Sequence, residues 1–189
     1  MDAFLISSLL VAVAEIGDKT QLLAICLAAR FRRPPPLIAG MLVATILNHA
    51  AAGAAGSWVA ALLGPTGLRW VVGLLFIGMA GWALIPDKLG EECEDAGRRG
   101  FGPFVATLIA FFLAEIGDKT QIATVALAAR YHPLWAVILG TTAGMMAANV
   151  PAVLVGHFAA GRIRLEWVRY AAAALFAGLG LATLLLPSG

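Results

Sequence analysis

Glu15, Asp18 and Lys19 interrupt an otherwise apolar stretch, and Glu115, Asp118 and Lys119 do the same one hundred residues later. On a helix, positions i, i+3 and i+4 share a face, so each trio presents two carboxylates and an ammonium together. A charged side chain at the centre of a bilayer costs roughly 2.5–3.5 kcal/mol, and six of them oppose insertion by on the order of 15 kcal/mol before pairing. Such groups persist where they face one another, a water-filled cavity or a bound ion. With both lysines protonated each trio carries one net negative charge, and the pair is neutralised by one divalent cation. Thr20, Gln21, Asn48, Thr120, Gln121 and Asn149 are the neutral oxygen donors that could support the four carboxylates. An oxygen-only set suits hard cations such as Ca²⁺, Mn²⁺ or Mg²⁺, with Mg²⁺ the poorest fit because it dehydrates reluctantly. Zinc or copper would call for Cys or His, and neither accompanies the motif. Lys19 and Lys119 admit two readings, as tethers of the carboxylates or as cations that fill the empty site. The same carboxylates can also carry protons, which would exchange for metal without further machinery.

The elements that must position these groups are membrane spans. The chain has 189 residues, 61% hydrophobic and 13% charged, with a mean hydropathy of +0.89. Soluble domains carry about 25% charged residues, so the composition describes an all-α integral membrane protein. It excludes a disordered chain and a disulfide scaffold. A net charge of only +2, from scattered basic residues, excludes a nucleic-acid binder. Cys26 and Cys93 read as plain thiols, too few and too differently placed for a bridge or a metal knuckle. Six segments are apolar for the roughly 20 residues a span requires: 3–29, 37–63, 69–86, 103–130, 134–160 and 167–187. The first does not read as a cleaved signal peptide, because it has no basic n-region and carries charges in its middle. A charged linker, 87–100, divides the chain into units 1–86 and 101–189.

Those two units are copies. Ala14–Gln21 recurs letter for letter as Ala114–Gln121, and the same offset pairs Leu27–Arg30 with Leu127–Arg130, Gly40 with Gly140 and Arg69 with Arg169. Asn48 matches Asn149 once one residue is inserted. Three spans per copy is an odd number, so the second copy must enter the membrane from the opposite face. The expected architecture is six transmembrane helices in two inverted-topology repeats, the usual frame for alternating access. Arg30, Arg32, Arg33, Lys88, Arg98, Arg99, Arg162, Arg164 and Arg169 fall on one side of that arrangement, against Arg69 and Arg130 on the other. The positive-inside rule makes the first side cytoplasmic and puts both termini outside.

Gly17 and Gly117 sit between the two acids of each motif, where a mid-helix glycine costs about 0.5–1 kcal/mol relative to Ala. They are expected to permit a helix break or a close backbone approach. A first span of 27 residues would run about 40 Å against a hydrocarbon core of about 30 Å, and a break or tilt would absorb the excess. Pro151 is a candidate kink in the fifth span. His49 has no histidine mate in the second copy and is a weak candidate for proton relay; His132 and His157 read as span-end residues. Trp58, Trp70, Trp82, Trp135 and Trp167 mostly fall near span ends, as an aromatic belt does.

The twin Glu-Ile-Gly-Asp-Lys-Thr motifs, in two three-span halves joined by an acidic loop, resemble the transmembrane-protein-165 family of small cation/proton antiporters. That family includes Golgi and chloroplast manganese/calcium exchangers and bacterial manganese exporters. The resemblance implies Glu15, Asp18, Glu115 and Asp118 as metal ligands; Lys19, Thr20, Gln21, Asn48, Lys119, Thr120, Gln121 and Asn149 are expected around them from the residue pattern itself. It implies a secondary transporter that exports Mn²⁺, or next Ca²⁺, against protons, with the metal as substrate and no cofactor. The chain lacks the extra N-terminal sequence of eukaryotic members, which points to a bacterial plasma membrane. The alternatives are a passive divalent channel and, further off, an intramembrane carboxylate enzyme; no Ser/His, Cys/His or HExxH arrangement supports the enzyme. Expected partners are the cation, protons and the lipid bilayer, with a homo-oligomer left open and nucleic acid excluded.

Overall fold

The structure is a computed structural model that describes residues 2–85, 100–155 and 165–185. These form eight helices and, among the described residues, no strand. In chain order they are α1 (Asp2–Glu15), α2 (Lys19–Phe31), α3 (Pro34–Leu62), α4 (Pro65–Ala83), α5 (Pro103–Glu115), α6 (Lys119–Arg130), α7 (Leu134–Val155) and α8 (Leu165–Leu185). Apart from Gly100, the linker lies outside the described residues, as do Cys93, His157, Arg162 and Arg164.

Prolines open α3, α4 and α5, where a missing backbone N–H leaves no hydrogen bond unmade. The first expected span is two helices, and so is the fourth. The Asp18 N–H bonds the Glu15 carbonyl at 3.0 Å, and the Asp118 N–H bonds that of Glu115 at 3.1 Å. Between them Gly17 takes φ +82° and Gly117 φ +74°. A side chain at such a φ costs roughly 1–2 kcal/mol, so the glycines inside the motif are what allows the chain to break there. No comparable break occurs at Pro151, and α7 runs on through it.

Among the described residues, three helices are long and apolar enough to cross a membrane: Pro34–Leu62, Pro65–Ala83 and Leu134–Leu154. Pro103–Glu115 and Arg169–Leu185 are shorter apolar helices. Leu9, Leu47, Leu74, Leu139, Leu181 and the indoles of Trp58, Trp70 and Trp135 are exposed. An exterior this apolar belongs in lipid, and the chain is an all-helical membrane protein.

The helices pack across the two copies. α1 lies along α7, and α5 lies along α3. Both contacts close at matching glycines: a Cβ on Gly40 would stand 2.6 Å from the Phe104 carbonyl oxygen, and one on Gly140 2.6 Å from that of Phe4. α4 lies along α8, where Phe76 and Phe176, one hundred residues apart, stack with centroids 6.3 Å apart. Two apolar cores result. One gathers Leu10, Val72, Phe76, Leu127, Val137 and Phe176; the other gathers Leu23, Leu27, Leu37, Met41, Phe111 and Val153. Cys26 is disulfide-bonded, which corrects its reading as a plain thiol.

Candidate metal site

Glu15 ends α1 and Glu115 ends α5, while Asp18 and Asp118 stand immediately before α2 and α6. The four short helices touch in crossed fashion, α1 with α6 and α2 with α5. Carboxylate oxygens of Glu15, Glu115 and Asp118 thereby come within 4.8 Å of one another, with all three residues buried. Oxygens on opposite sides of a Ca²⁺ ion, each about 2.3–2.6 Å from it, stand about 4.6–5.2 Å apart. Separations no greater than this would let one hard cation reach all three carboxylates.

Each glutamate uses one oxygen on neutral donors. Glu15 Oε2 accepts from Thr20 Oγ1 and, at 3.1 Å, from Asn149 Nδ2. Glu115 Oε2 accepts from Thr120 Oγ1 at 2.9 Å, and Thr120 also stands 3.5 Å from Asp118 Oδ2. The other oxygens, Glu15 Oε1, Glu115 Oε1 and Asn149 Oδ1, are buried with no hydrogen-bond partner among the described residues. A buried acceptor left unpaired costs about 1–3 kcal/mol. A cation placed among them would supply what these lone pairs lack.

Asp18 stands apart from the three. Lys119 Nζ lies 2.9 Å from Asp18 Oδ1, and Lys19 Nζ lies 3.3 Å from Asp118 Oδ1. Each lysine thus pairs with the aspartate of the other copy, not with its own. Sequence spacing placed Glu, Asp and Lys of one motif on one helical face, but the break at glycine turns α2 and α6 out of that register.

The supporting residues divide. Thr20, Thr120 and Asn149 touch the acids directly. Asn48 is buried but donates to the Phe112 carbonyl at 3.2 Å. Gln21 and Gln121 use their side-chain oxygens to accept the Gly17 and Gly117 N–H groups, at 2.9 and 2.8 Å. That function was missed, although Asp-x-x-Gln at a helix start has the form of a capping box. Neither Asp18 nor Asp118 caps its helix with its side chain, so the glutamine takes over and the carboxylate turns to other partners. His49 is buried outside the carboxylate cluster.

Buried acids at breaks in paired helices, inside an apolar helical body, define an ion-transporting membrane protein. The chain belongs to the family whose model is described as divalent cation/proton antiporter GDT1, which matches residues 3–91 and again 103–188, as the twin motifs implied. A Vibrio cholerae protein named as a manganese exporter is 53% identical over 184 residues, covering 97% of this chain and 90% of that protein. The GDT1-like protein sll0615 of Synechocystis is 33% identical, with 93% of each chain covered. A chloroplastic PAM71 homologue of Arabidopsis thaliana is 30% identical, over 92% of this chain and 56% of that one. No solved structure matches. The protein is a transporter and not an enzyme, and the metal is its substrate, not a cofactor.

Proposed function

We propose that the chain exports Mn²⁺, with Ca²⁺ as the next candidate, from the cytoplasm in exchange for protons by alternating access. The observation that carries this reading is the buried triad Glu15, Glu115 and Asp118, drawn from both copies to within 4.8 Å. Asp18 is the fourth ligand, released from Lys119 when the site fills, and Thr20, Thr120 and Asn149 orient the glutamates. Lys19 and Lys119 supply internal positive charge while no metal is present. The name of the Vibrio cholerae relative favours manganese, and the all-oxygen donor set is compatible with it.

The frame we propose is six spans in two inverted repeats, 1–86 and 101–189, joined by a cytoplasmic linker at 87–100. Each broken pair, α1–α2 and α5–α6, counts as one span. Both termini then lie outside a bacterial plasma membrane, on the charge distribution already given. The test is metal-resolved transport by the full chain in proteoliposomes with an imposed proton gradient. Uphill Mn²⁺ movement driven by protons is expected, and its loss in Glu15→Gln and Glu115→Gln. Movement only down the metal gradient would make the protein a passive channel, and unimpaired transport in both variants would remove the triad from the mechanism.

A further inference from the structure

The eight residues Ala-Glu-Ile-Gly-Asp-Lys-Thr-Gln occur twice without a change, yet they stand in unequal surroundings. α4 and α8 pack against α6 and α1 respectively. The symmetric counterparts would be α8 against α2 and α4 against α5, and among the described residues neither pair makes a contact of comparable extent. The exposure of matching residues differs as well. Ala128 and Ala129 on α6 are buried, whereas Ala28 on α2 is half-buried and Ala29 exposed. The Lys119 side chain is 6% exposed and its bridge to Asp18 spans 2.9 Å; that of Lys19 is 26% exposed and its bridge to Asp118 spans 3.3 Å. Ala83 of α4 and Arg169 and Phe176 of α8 close over Gly17, Asp18 and Lys119, leaving a void of only about 10 Å³. That is barely room for one water.

We propose that the Lys119–Asp18 bridge is a latch that shuts one path to the site, beneath α4 and α8. Its counterpart, Lys19–Asp118, shuts the other path only when α4 and α8 cross over to α2 and α5. The latch joins the start of α6 to the end of the α1 break, so parting α1 from α6 requires breaking it. Lys19–Asp118 joins the start of α2 to the break between α5 and α6, on the side that α4 and α8 leave uncovered. The two bridges therefore alternate: the lysine of the closed one is buried, and that of the open one is partly exposed. This rests on the alternating-access reading, and it makes the two lysines positioning residues that tie the state of the gate to the aspartates of the site.

The experiment is hydrogen–deuterium exchange of the full chain in lipid nanodiscs without added metal, comparing 119–130 with 19–31. In the wild type α6 is expected to exchange more slowly than α2. Lys119→Gln should raise exchange across 119–130 about tenfold, the usual scale of a coupling between site and conformation. Lys119→Arg should restore protection, and Lys19→Gln should leave α6 protected. Equal exchange of the two helices in the wild type overturns the proposal, as does an α6 that stays protected in Lys119→Gln. If Lys119→Gln fails to fold, Asp18→Asn removes the other half of the bridge, and the same rise across 119–130 is expected of it. Because no metal is present, this readout is independent of which ion is carried, and failure here is distinct from failure of the transport experiment.

Discussion

The segments 14–21 and 114–121 share every residue and very nearly every backbone feature. Both break after glutamate, both place glycine at positive φ, and both tie the glycine N–H to the glutamine three residues after the aspartate. They differ in what lies over them. Lys119 is buried with Asp18 under α4 and α8, while Lys19 is partly exposed beside an Asp118 that belongs to the carboxylate triad. Local interactions, which are identical, fixed the backbone; the packing of two distant helices, which is not, fixed access.

Four perturbations probe the likeness and the difference in turn. The largest effect is expected from Glu15→Gln and Glu115→Gln, each of which should reduce proton-driven metal transport to background. A large loss in one alone would mean that the copies do not share a site. Thr20→Val and Thr120→Val remove the hydroxyl that orients each glutamate, and each should weaken metal binding about tenfold, as loss of an outer-shell partner does. Binding to the purified protein, titrated with Mn²⁺, checks this. Gly40→Ala and Gly140→Ala press on the matching carbonyls of Phe104 and Phe4, so each should lower stability by about 1–3 kcal/mol, and by similar amounts. Thermal unfolding in detergent reads it. The smallest contrast is the most pointed. Ala128→Leu should cost about 1–3 kcal/mol by overpacking against Gly56 of α3, and Ala28→Leu, at the half-buried matching position, less than that. Equal losses at 28 and 128 would erase the difference between the two sides.

Much of the site was legible in advance. Charged residues spaced inside apolar runs announced buried acids, the glycine between them announced the break, and the hundred-residue repeat announced that two acidic turns would come from equivalent places. What was not legible depended on contacts between copies. Asn48 and Asn149 look interchangeable, yet only Asn149 reaches a glutamate, while Asn48 turns to the Phe112 carbonyl. Gln21 and Gln121 look like ligands, yet they brace the break. The disulfide of Cys26 carried no sequence signal at all.

The amino-acid order alone determined the donor chemistry, the charge to be neutralised and the points where the helices part, because these follow from residue type and short-range backbone preference. Tertiary structure alone decided that each lysine serves the opposite aspartate, that three carboxylates gather while a fourth is withheld, and which face is sealed. Two identical strings of letters cannot encode a difference between themselves. Only their unequal contacts with the helices around them can create one.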